Sequence, residues 1–291
     1  MKSCLLSNNT KKMPPRVLVV GGNGFLGKYV VRDLTRNGYL VKVGVSQLSC
    51  SQISNEILIS PFSLVQEAKG NFDCIVNASG FYSRESRDEL KPNFISVNVG
   101  VTESLAITSS AFKIPLVSLG TYFEMAPMGS DTLELPYTQS KIAARQILED
   151  YIHHSKVPFY YIYLYDTYGH DDKRNKILYN ILKSDRRKFI QEIRNPEAVI
   201  NWTHASDVAR VIRKTVELTK RSREICLHSF QIRSADEYKI GEFAALLARS
   251  NFEDLENQLE NIRVTSLWDC APLHEEFECF ETLFNFIKSA G

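Results

Sequence analysis

The stretch RVLVVGGNGFLGKYVVRDL, residues Arg16 to Leu34, decides the fold. Val17 to Val20 form an unbroken apolar run of strand character, Gly21, Gly24 and Gly27 follow, and apolar side chains then recur at helical intervals up to Leu34. In a strand, glycine turn and helix of this order, Gly21 permits a tight turn, Gly24 lets the backbone approach a pyrophosphate, and Gly27 allows close helix packing. The helix N-terminus adds free N–H groups and the positive end of its dipole. The spacing is GxxGxxG, a variant of the commoner GxGxxG, and the flanking elements supply the context that three glycines alone lack.

Working outward, strand-like runs alternate with helical patterns through the first 165 residues: RVLVV, YLVKVGV, EILIS, FDCIVNAS, IPLVSLG and VPFYYIYLY. That alternation predicts an α/β protein with a Rossmann-type doubly wound parallel sheet. The longest helices are expected over Phe94 to Phe112 and Pro136 to His154. After Asp166 the pattern loosens into a charged helix near Lys173 to Lys188, a strand-like EAVINW, and the helix ASDVARVIRKTVEL with Asp207 as its cap. EICLHSF is expected to return to the main sheet, followed by helices near Lys239 to Ser250 and Glu275 to Ala290. No repeat or low-complexity linker divides the chain. The expected organisation is a tail over 1–12, a dinucleotide-binding domain over 13–165, and an interwoven C-terminal segment over 166–291.

Bulk properties narrow the function. The chain has 291 residues, 44% of them hydrophobic, and a formal net charge of +1 with its Lys and Arg scattered, which argues against nucleic acid as a partner. Six cysteines without a CxxC pair read as reduced thiols. The N-terminal MKSCLLSNNTKKMPP has no signal-peptide core, and no run reaches membrane-spanning length, so no membrane partner and a cytoplasmic location are expected. His153 and His154 are adjacent, and His204, His228 and His274 lack partners at ligand spacing, so no metal site is expected. The aromatic run FYYIYLYDTY reads as an alternating buried strand rather than a base-stacking platform.

The cofactor set read from the residues is Gly21, Gly24, Phe25, Leu26 and Gly27 at the turn, Asn77, Ala78 and Ser79 closing the fourth strand, and Lys141. The second strand ends in Ser46 and Gln47, with no carboxylate for an adenosine ribose, which favours NADP over NAD. Tyr137 and Lys141 in PYTQSKIAARQIL sit four residues apart at a helix start and share one face. A phenol with an ordinary pKa near ~10 needs a neighbouring ammonium to serve as an acid or base at neutral pH. Lys141 would supply it, and would also hold the nicotinamide ribose. Tyr179 and Lys183 have the same spacing, but no strand precedes them that would aim them at the crevice.

In this order, the glycine turn, NAS, SVNVGVTESL, PLVSLGTYF and YTQSK make the chain resemble the extended short-chain dehydrogenase/reductases of the nucleotide-sugar epimerase/dehydratase branch. The resemblance runs from about Val17 to Leu218 and continues through YDTYGHDD and INWTHASDVARVI. YGHDDKRNKILYNILKS looks most like the synthases of CDP-linked dideoxysugars, which reduce a 4-keto group. The resemblance implies structural roles for Asn98 and Asp207. It also exposes departures. Leu119 stands where the family has a hydroxyl, leaving Thr121 or Ser118 to polarise the substrate oxygen. Gly120 and Thr121 replace the Asp-Glu pair of 4,6-dehydratases, which disfavours elimination. Tyr163 and Asp166 replace an arginine and an asparagine, and the stretch after Asp207 implies a reduced substrate lid. The expected activity is NADP-dependent reduction of a nucleotide-sugar 4-keto group. A C4 epimerase, and in another class a non-catalytic dinucleotide-binding regulator or scaffold, are the alternatives. A nucleotide sugar is the expected partner, and the family also forms homodimers.

Overall fold

The opening stretch forms β1 (Arg16–Val20), a glycine turn and α1 (Phe25–Arg36). The computed structural model describes residues 13–45, 56–58, 72–83, 88–170, 172, 174, 176–183, 193, 195–222, 224–234 and 237–249. The strands β2 (Leu40–Val45), β3 (Glu56–Leu58), β4 (Cys74–Asn77), β5 (Leu116–Thr121) and β6 (Phe159–Leu164) follow in the main sheet. It is closed by β9 (Leu227–Ile232), in the order β3-β2-β1-β4-β5-β6-β9. Every neighbouring pair in this sheet is parallel. The chain order reverses at β1, between β2 and β4, which opens a crevice at the carboxyl ends of these strands.

Period-two alternation divides the sheet's side chains between two cores. On one face Val17 and Val19 of β1, Val76 of β4, Val117 of β5 and Ile162 of β6 pack beneath α1 and a later helix, α5 (Ala205–Thr219). On the other, Leu18, Ile75, Leu116 and Phe159 meet Leu105 of α2 (Val101–Phe112) and Leu148 of α3 (Pro136–Ile152). Because helices cover both faces, β6 is buried almost continuously rather than in alternation.

A second sheet pairs β7 (Asp166–Tyr168) in parallel with β8 (Val199–His204), and β8 antiparallel with β10 (Glu237–Lys239). With α4 (Ile177–Lys183) and α6 (Ile240–Arg249) it encloses a core of its own around Trp202, Tyr238 and Phe243. EICLHSF does return to the main sheet, as β9 beside β6.

Several sequence expectations are corrected. The helix expected over Phe94 to Phe112 is divided: Phe94–Gly100 has wide π-helical turns and only Val101–Phe112 is α-helical. Asp207 does not cap α5. The cap is His204, whose Nδ1 accepts from the Ser206 N–H at 3.3 Å, and Asp207 pairs with Arg210 three residues on. The charged helix after Asp166 is described only over Ile177–Lys183. The tail 1–12 and the helix expected over Glu275 to Ala290 lie outside the described residues, as do Cys4, Cys50, Cys270, Cys279 and His274. Cys74 and Cys226 are free thiols, and burial pushes that of Cys74 up to about 12. Among the described residues no helix is long and apolar enough to cross a membrane.

Candidate active site

The glycine turn is shaped by backbone contacts that exclude side chains. Gly21 has φ +77°, its N–H donates to Gly44 O at 2.8 Å, and a Cβ there would stand 2.7 Å from Ser79 Cα. A Cβ on Gly27 would lie 2.1 Å from Gly21 O, and one on Gly22 would lie 2.6 Å from Val43 Cγ1. Gly24, at the N-cap of α1, makes no side-chain cap, and the first turn carries no acidic residue. The leading N–H groups of α1 are therefore open to an anion. This is the cradle a dinucleotide diphosphate needs, and the residues present fit one.

A cavity of about 270 Å³ opens at this turn. Its lining comes from the turn (Gly21, Gly24, Phe25 and Leu26), from the end of β4 (Ala78, Ser79 and Gly80), from β5 and β6 (Leu119, Gly120 and Leu164) and from α3 (Tyr137 and Lys141). Tyr82 and Arg174, neither singled out from sequence, complete the lining. Gly27 and Asn77 stand behind it. Asn77 donates to Thr102 Oγ1 at 3.1 Å and to Ser118 Oγ at 3.4 Å, and its Oδ1 accepts from the Ser79 hydroxyl. Ser118 is thus held in a buried network and does not line the cavity, whereas Thr121, also buried, accepts from the Phe123 N–H. Ser46 and Gln47 lie outside the described residues.

Tyr137 and Lys141 project from the first two turns of α3, whose start is set by Pro136 at its first position. Lys141 is 7% exposed, and its Nζ donates to Leu119 O at 3.0 Å. The residue that breaks the family's hydroxyl pattern therefore still serves through its carbonyl. Burial lowers the Lys141 pKa to about 8, with the Glu124 carboxylate pulling the other way. Burial raises the Tyr137 pKa, with Thr121 pulling the other way. The expectation of a phenol made acidic by Lys141 is thus corrected: desolvation holds the phenol above its ordinary value, and it is protonated at neutral pH.

Glu124 was missed in the sequence. Its side chain is 1% exposed, accepts from the Thr121 N–H at 2.8 Å and from Tyr161 Oη at 3.0 Å, and lies 3.7 Å from Arg145 Nε. Burial raises its pKa, while those hydrogen bonds, Lys141 and Arg145 oppose the rise. With Thr121 it forms a capping box on the turn Tyr122–Met125, and the T-x-x-E spacing was the available signal. Asn98, 1% exposed in the π-helical segment, accepts from the Phe81 N–H and donates to Phe81 O and Ser140 Oγ. Ser140 Oγ in turn donates to Tyr137 O at 2.7 Å, so Asn98 braces the turn that carries the phenol.

Of the two family positions replaced here, Tyr163 packs against the α2–α3 core and Asp166 pairs with Lys176 at 3.1 Å. Tyr179, the decoy, does not line the cavity, and the side chain of its partner Lys183 lies outside the described residues. His228 does have neighbours that its spacing concealed: Cys226 Sγ is 3.3 Å from its Nε2, and Glu224 joins them in a cluster of metal-ligand type. The E-x-C-x-H spacing over 224, 226 and 228 was the signal. This cluster sits where β6 and β9 begin, at the opposite end of the sheet from the cavity.

The sequence profile of the NAD dependent epimerase/dehydratase family matches residues 17–226. CDP-abequose synthase of Yersinia pseudotuberculosis is 24% identical over 208 residues, which is 68% of this chain and 71% of that protein. MoeE5, solved with UDP-glucose and NAD, superposes with a TM-score of 0.67 at 18% identity, over 80% of this chain and 81% of its own. UDP-glucose 4-epimerase from Brucella ovis, solved with NAD, gives 0.65 at 16% identity over 78% and 79%. dTDP-4-dehydrorhamnose reductase from Bacillus anthracis, solved with NADP, gives 0.60 at 16% identity over 82% and 81%. These structural likenesses show a shared fold.

Proposed function

Because the chain belongs to the NAD dependent epimerase/dehydratase family, we propose that it reduces the 4-keto group of a nucleotide-activated deoxysugar with NADPH. It is an NAD(P)-dependent enzyme of the extended short-chain dehydrogenase/reductase type. The observation that carries the finer reading is the protonated Tyr137 phenol on the wall of the cavity that also holds the glycine turn.

The cofactor, when bound, supplies a hydride to the carbonyl carbon. Tyr137 gives its proton to the carbonyl oxygen, so that ketone, hydride and proton balance to the secondary alcohol. The Thr121 hydroxyl, which favours the ionised phenol, is the second donor to the substrate oxygen, a role for which Ser118 is tied up by Asn77. The Lys141 ammonium stabilises the phenolate left behind, which requires it to keep its proton. Leu119 O holds that ammonium in place. The NADPH preference rests on Ser46 and Gln47, neither of which is a carboxylate for the adenosine ribose.

The CDP-abequose synthase and the 4-dehydrorhamnose reductase among the relatives support a sugar-nucleotide substrate. A C4 epimerase is the second reading, favoured by the 4-epimerase of the same fold. Its first half-reaction, however, withdraws a proton and needs a phenolate, which burial of Tyr137 opposes.

NADPH oxidation measured with a panel of CDP-, UDP- and dTDP-linked 4-keto sugars tests the proposal. Turnover is expected with at least one of them, and Tyr137→Phe should lower kcat at least about 100-fold while leaving NADPH affinity intact. A wild-type rate in that variant removes the assigned role. C4 inversion of a sugar nucleotide with no net NADPH consumption assigns the epimerase instead.

A further inference from the structure

We propose that Arg174, from the segment after β7, completes with the glycine turn a subsite for the diphosphate of the bound dinucleotide. The inference needs only the NAD(P) cofactor class and is independent of which sugar is reduced. Arg174 lines the same cavity as Gly21, Gly24 and Leu26. Its Cζ stands 4.0 Å from the ring centroid of Phe25, the first residue of α1. The cation therefore lies beside the helix start whose N–H groups the cofactor diphosphate approaches.

Two features make this placement a built one. The chain before Arg174 is docked on α1: Tyr29 Oη donates to His170 O at 3.1 Å, and a Cβ on Gly169 would come within 2.7 Å of that hydroxyl. The guanidinium is then oriented from one edge. Nε and Nη2 donate to the two Asp172 oxygens at 2.8 and 2.7 Å, and Nη2 also donates to Thr167 O at 2.9 Å and Thr167 Oγ1 at 3.1 Å. Thr167 belongs to β7, whose register with β8 fixes it. All of these bonds use the Nε and Nη2 side, and among the described residues Nη1 has no partner. The other cation on the cavity wall, Lys141, donates to Leu119 O and serves the Tyr137 phenolate. A planar guanidinium with one free nitrogen suits a phosphate oxygen, and its rigid anchoring spares the ordering cost that a free arginine would bear on binding.

The arrangement assigns a task to the segment after β7: it reads the cofactor. Calorimetric titration of the full chain with ADP-ribose, NADPH and adenosine tests this. Arg174→Met should weaken ADP-ribose and NADPH about 10- to 100-fold and adenosine by less than about twofold, and Arg174→Lys should recover part of the loss. A folded Arg174→Met protein that binds ADP-ribose as wild type does overturns the proposal. So does an equal loss for adenosine, or an effect confined to the KM of the sugar nucleotide, which would place the arginine on the substrate's diphosphate. If the Met variant loses its cooperative thermal transition, the charge-preserving Lys variant decides: ADP-ribose affinity below wild type with adenosine unchanged supports the subsite, and wild-type affinity for both removes it.

Discussion

Glu124 and Lys141 form an electrostatic couple beneath the phenol. Burial brings Lys141 from its ordinary 10.5 to about 8, and the Glu124 charge is what keeps it from falling further. An activity that needs the ammonium therefore declines as pH rises through about 8. The linkage to stability has the opposite sign: between about 8 and 10.5 the unfolded chain binds more protons at this site, so the contribution of Lys141 to stability grows with pH across that window. Glu124→Gln keeps the shape beside Thr121 and Tyr161 but removes the charge that holds the Lys141 pKa up. The alkaline limb of the kcat profile should then move down by on the order of one pH unit. An unmoved limb would show that another group sets it. Tyr137 and Lys141 were legible because a four-residue spacing on a helix start is local. The raised phenol pKa was not, since it comes from burial that chain-distant packing creates.

At the level of elements, the turn between β1 and α1 was legible to the individual glycine, with Gly22 as the one omission. Its requirement comes from Val43 on a neighbouring strand, a contact no local pattern contains. Gly27→Ala is the sharpest probe of the turn, because the added carbon would meet Gly21 O and Gly22 Cα, backbone atoms that cannot rotate away. Cofactor affinity should fall at least about 10-fold and stability by about 1–3 kcal/mol, measured by titration and urea unfolding. Wild-type values for both would mean that the turn is looser than its contacts imply. The long helix before β5 was legible as apolar periodicity, but its π-helical start was not. Widened turns follow from Asn98 reaching Phe81 and Ser140, partners 17 and 42 residues away.

For the whole molecule, the two sheets have separate cores, and Trp202 is the largest side chain fully buried in the smaller one. Trp202→Ala should cost about 3–5 kcal/mol locally. Hydrogen exchange should show that loss in the amides of β8 and β10, with β1 and β4 keeping their protection. Uniform loss across both sheets would show a single cooperative unit. The main sheet and the return of β9 were readable because apolar runs and the helices between them repeat along the chain. The second sheet was harder to read: β7 and β10 have three residues each, too short for periodicity to register.

The sequence by itself determined the parallel sheet, the glycine cradle and the Tyr137–Lys141 pair, because each follows from spacing within a strand or a helix turn. Only the tertiary structure decided that the Glu124 charge acts on Lys141, that Asn77 ties up Ser118, and that Arg174 reaches the start of α1. Each of those depends on segments 16 or more residues apart being packed together, and on the desolvation that packing imposes on buried charges.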